Sequence, residues 1–80
     1  MNATTQAIIK RLRKPGKPVL QPADIAAAYG FATASSILAD IKLGKIDANY
    51  CGGKFNIALE AAVAYVEANE YIPEEGTMEK

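Results

Sequence analysis

The chain has 80 residues, a formal net charge of zero and 50% apolar residues, with one cysteine and no histidine. This length sets one small domain, and without histidine or a second cysteine there is no proton shuttle near neutral pH, no nucleophile pair and no soft-ligand metal site. No enzyme and no cofactor is expected; the absence of a membrane-length apolar run and of a disulfide partner for Cys51 points to a soluble cytoplasmic protein.

Thr4 or Thr5 is placed to cap a helix running to Lys14, with Ile8 and Leu12 as its apolar stripe. Lys10, Arg11, Arg13, Lys14 and Lys17 cluster around its far end, and Pro15-Gly16-Lys17-Pro18 stops it. Residues 1–18 are therefore read as a basic N-terminal helix or arm, followed by a short extended piece at Val19-Leu20. In Gln21-Pro22-Ala23-Asp24, Pro22 suits the first helical position and Asp24 the positive end of the helix dipole. Ile25 to Tyr29 form an apolar strip, and Gly30 stands where a helix C-cap needs positive φ.

A second helix follows at once. Thr33, Ser35 and Ser36 are candidate caps before Ile37-Leu38-Ala39-Asp40-Ile41-Lys42-Leu43, which Gly44 ends. Two helices joined by so short a turn cross steeply, which exposes one face of the second. Ile37 and Ile41, four apart, face inward, leaving Ser35, Ser36, Ala39 and Lys42 outside and Leu38 at the edge.

Between Ile46 and Ile57 the spacing changes to alternation, and Gly52-Gly53 suits a primed turn joining the strands Asn49 to Cys51 and Lys54 to Asn56. Asn56 is a candidate cap for a last helix whose buried face is Leu59, Ala62, Val63 and Val66. The expected core adds Ile25, Tyr29 or Phe31, Ile37, Ile41, Ile46 and Phe55. Residues 70–80 read as an acidic, frayed tail. The fold class is mainly α with a small β-hairpin, its central domain spanning 19–69.

The segment from Leu20 to Asn69 resembles the excisionase and MerR-like winged helix-turn-helix family. The resemblance rests on Tyr29-Gly30-Phe31 before a Ser/Thr-rich helix start, on the exit Lys42-Leu43-Gly44-Lys45-Ile46, and on the tip Gly52-Gly53-Lys54-Phe55. It implies a winged helix in which Val19-Leu20 pairs with the wing. It also implies double-stranded DNA as partner: the second helix enters the major groove through Ser35, Ser36, Ala39 and Lys42, while Lys45 and Lys54 hold phosphates or the minor groove. Arg11, Arg13 and Lys14 are candidates to follow the backbone alongside, and copies are expected to associate along the DNA.

Family members of this kind are small regulators of phages and mobile elements. Where they carry arginines in the second helix, this chain has Leu38, Ala39 and Asp40. An alternative reading follows from that departure: a winged-helix module that has left DNA and contacts a protein partner through Leu38, Ala39 and Leu43.

Overall fold

Asn2, rather than Thr4 or Thr5, starts the first helix. Its side-chain Oδ1 accepts the Thr5 backbone N–H at 2.8 Å, so both threonines lie inside α1 (Ala3–Arg13), and Thr5 is buried. An Asx side chain just outside the first turn satisfies an end N–H that would otherwise lack a partner. The far end of α1 carries Lys10, Arg11 and Arg13 against the negative end of the helix dipole.

The computed structural model describes residues 1–73 and consists of four helices and a three-stranded antiparallel sheet. After β1 (Val19–Leu20) comes α2 (Pro22–Tyr29). The backbone N–H of Gln21 donates to Asp24 Oδ2 at 2.9 Å, and the same carboxylate oxygen takes Lys17 Nζ at 3.2 Å. Gly30 ends α2 at φ +83°, a conformation side chains with a Cβ avoid, and Phe31 N–H reaches back to the Ala26 carbonyl at 2.9 Å.

Next comes α3 (Ser35–Lys42). Its N-cap position is Ala34, which offers no side-chain acceptor, so Ser35 and Ser36 are first-turn residues and not caps. Thr33 only partly fills the role, its Oγ1 lying 3.4 Å from the Ser35 N–H and 2.9 Å from Ser35 Oγ. Gly44 at φ +80° lets Lys45 N–H bond the Asp40 carbonyl at 2.9 Å, closing the helix end.

The hairpin is built from β2 (Asn49–Cys51) and β3 (Lys54–Ala58), with Tyr50 opposite Phe55 and Cys51 opposite Lys54. Gly52 and Gly53 both have positive φ, at +65° and +75°, as a primed two-residue turn requires. The strand β3 passes through Asn56 to Ala58 because β1 pairs with its second half, Leu20 opposite Ile57 and Val19 opposite Ala58. Asn56 therefore does not cap the last helix. Its side chain turns to the hairpin carbonyls of Lys54 at 3.3 Å and Asn49 at 3.5 Å, and α4 (Leu59–Ala68) begins after Ala58, with Leu59 N–H held by the Pro18 carbonyl at 2.9 Å.

Side chains from all four helices and the central strand meet in one core. Leu12, Leu20, Ile25, Ile37, Ile57 and Val66 are its largest fully buried members, with Ile8, Ile41, Ile46, Ala62, Val63 and Tyr65 around them. Of the aromatic and aliphatic residues assigned to the core from spacing, Tyr29, Phe55 and Leu59 are only partly buried. Phe31 is 44% exposed: it lies after the α2 cap and stacks on Tyr29 from outside, ring centroids 5.0 Å apart. Of the acidic, frayed tail expected at 70–80, residues 74–80 lie outside the described residues, whereas Glu70 accepts the backbone N–H of Asn2.

Candidate nucleic-acid interface

Burial of Ile37 and Ile41 fixes the rotation of α3, and so determines what it presents outward. Ser35, Ser36, Ala39, Lys42 and Leu43 share the exposed face, and Leu38 sits half-buried at its edge. No serine is used as a cap, and Ser36 is exposed in the first turn, at the positive end of the α3 dipole. Lys42 ends the same face and forms no ion pair among the described residues.

Asp40 is the acidic residue of α3, and it does not join that face. The Tyr65 hydroxyl of α4 donates to Asp40 Oδ2, and Lys45 Nζ lies 4.0 Å from Oδ1. Burial first, and the neighbouring carboxylate second, push the Tyr65 phenol up to about 12. The carboxylate is thus turned toward α4, and Lys45 is occupied in part by it.

Beside α3 lies the hairpin, across an open cleft of about 380 Å³ whose walls include Pro22, Ala34, Leu38, Tyr50, Lys54 and Phe55. Lys54 follows the glycine turn, is exposed, and has no ion pair among the described residues. Tyr50 packs its ring edge-on against Phe55, centroids 4.9 Å apart, yet remains 64% exposed. Sequence reading left Tyr50 out of the site, although the alternation of Asn49-Tyr50-Cys51 and its register opposite Phe55 place it on the cleft side.

The cations of α1 are arranged differently. Arg11 donates to the Ala28 carbonyl at 3.1 Å, clamping α1 to the end of α2, and Arg13 pairs with Glu60 of α4 at 3.3 Å. Lys14 and Arg13 line a groove between α1 and α4 to which neither α3 nor the hairpin contributes. Ser35, Ser36, Ala39 and Lys42 share the exposed face of α3, and Lys54 lines the cleft together with Leu38 at the edge of that face; Arg11, Arg13 and Lys14 do not line the cleft.

No protein-family model, characterised protein or solved structure matches the chain.

Proposed function

We propose that the protein is a small DNA-binding regulator of winged-helix type, placing α3 in the major groove and the β2–β3 hairpin, as a wing, on the adjacent backbone or minor groove. One observation carries this reading: the outward face of α3 and the hairpin tip present Ser36, Lys42 and Lys54 with no side-chain partner among the described residues, while Asp40 is drawn away by Tyr65. Serine hydroxyls, helix N-terminal N–H groups and lysines are phosphate ligands, so this binding is led by the backbone. Base reading is limited to what serine and the Ala39 methyl can sense, the latter against a thymine methyl.

Mobility shifts at low salt, on random duplex and on DNA flanking the gene, test it. Retardation that falls steeply with salt is expected.

The apolar cleft favours a second reading. Leu38, Tyr50 and Phe55 around it, and Leu43 at 70% exposure, form a surface of the kind protein partners cover. A folded protein that leaves every duplex unshifted at low salt belongs to this second class.

A further inference from the structure

Tyr50 is the central residue of β2, and the register of the hairpin sets its place. It stands opposite Phe55, so both rings lie on one face of the sheet. The edge-on contact between them, centroids 4.9 Å apart, holds the Tyr50 ring while leaving the residue 64% exposed. The Tyr65 hydroxyl is committed to Asp40; that of Tyr50 has no hydrogen-bond partner among the described residues.

This positioned ring with an open hydroxyl lines the cleft that separates the hairpin from α3. Gln21 and Lys54 are the other lining residues whose side chains carry hydrogen-bond donors, and none of the lining residues is acidic. Donors without a carboxylate beside them suit an anion.

Under the proposed function, the elements on either side of the cleft enter adjacent grooves of the duplex. A single sugar–phosphate strand separates a major groove from the minor groove next to it. A helix in the first and a wing in the second therefore straddle that strand, and the cleft between them lies over its phosphates. We propose that Tyr50 is a phosphate ligand, its hydroxyl donating to a non-bridging oxygen of the strand that crosses the cleft. The contact fixes where helix and wing sit on the duplex and carries no base information. The inference rests on the proposed duplex binding and adds to it a neutral donor, a contact to which no charge points.

Tyr50→Phe removes the hydroxyl and keeps the ring on Phe55, and thermal unfolding checks that the fold is unchanged. Fluorescence anisotropy with a fluorescein-labelled duplex of random sequence, titrated at several salt concentrations, reads the effect. Loss of a hydrogen bond to a charged oxygen should raise Kd about five- to tenfold at every salt concentration. The salt slope should stay that of the parent, because a neutral donor displaces no counterion, whereas Lys54→Ala should lower it by about one.

A parent that binds the duplex and a Tyr50→Phe variant that binds it equally well overturn this inference and leave the duplex reading standing. So does a variant whose salt slope falls along with its affinity, since lost cation contacts then account for the weakening. A parent that binds no duplex at low salt overturns both.

Discussion

Tyr65 and Asp40 join α4 to α3 across 25 positions of sequence, the buried phenol donating to the carboxylate Oδ2. The contact locks the last helix onto the second helix of the α2–α3 pair, and it keeps a negative charge off the face proposed to meet DNA. Its removal should be visible in stability. Tyr65→Phe deletes the donor and leaves Asp40 with Lys45 alone, so a loss of about 1–2 kcal/mol is expected in urea unfolding.

The same pair gives a pH signature. The folded phenol titrates near 12, above its ordinary value of 10, so the neutral form is the one folding favours. The stabilisation is fully present below pH 10 and is lost as the pH rises from 10 through 12, where the unfolded chain releases the proton first. Wild-type stability should fall over that window by about 1–2 kcal/mol more than that of Tyr65→Phe. Parallel curves for the two proteins would show that folding leaves the phenol at its ordinary pKa, against the burial and the Asp40 contact together.

Core substitutions should follow burial more closely than sequence spacing. Ile37 is fully buried and Ile41 is 9% exposed at the rim, so Ile37→Ala is expected to cost about 2–5 kcal/mol and Ile41→Ala to fall at the low end of that range. Phe31→Ala, despite the larger side chain, should cost less than Ile37→Ala, because it removes an outer stack on Tyr29 and opens no cavity. Thermal unfolding of the three variants gives the order directly.

These differences show which features were legible before the fold. Gly30, Gly44 and the Gly52-Gly53 pair were readable because each ends an element through a backbone angle that neighbouring residues avoid. The β1 pairing with the hairpin, implied by family resemblance, is present in the structure. Asn56 was misread as a cap because its composition suits one; what extends β3 past it is the distant Leu20, invisible to a local pattern. Tyr65 fell outside the expected stripe of α4, and its burial depends on a polar partner 25 residues away. In the candidate site, the exposed face of α3 followed from the Ile37 and Ile41 spacing, whereas the direction of Asp40 and the partners of Arg11 and Arg13 are tertiary facts that charge counting does not contain.

Salt dependence separates cations that meet DNA from cations that hold the fold. Lys54→Ala and Lys42→Ala should each weaken binding to many sequences alike and lower the salt slope by about one. Arg11→Ala removes the 3.1 Å bond to the Ala28 carbonyl, so it should lower stability and leave the slope of the remaining folded protein unchanged. Equal slopes for Lys54→Ala, Lys42→Ala and the parent would remove the hairpin tip and the end of α3 from the interface; a reduced slope for Arg11→Ala would extend the interface to α1.

Ala39 gives the sharpest separation between the two functional readings, because it is exposed at the centre of the α3 face, whereas its neighbour Leu38 is half-buried against the cleft. Arginine at 39 loses no packing and supplies a planar, permanently charged group able to grip guanine or a phosphate. If DNA is the ligand, Ala39→Arg should tighten duplex binding by about tenfold, near 1.4 kcal/mol, with a steeper salt slope. If the cleft and the α3 face hold a protein, the same charge enters an apolar contact without a partner and should abolish complex formation. Leu38→Ala is the companion change: it trims the cleft wall and should weaken a protein complex while leaving duplex affinity nearly unchanged. Measuring duplex affinity and partner capture for both variants decides between the readings; a protein in which neither substitution alters either property does not use the outward face of α3.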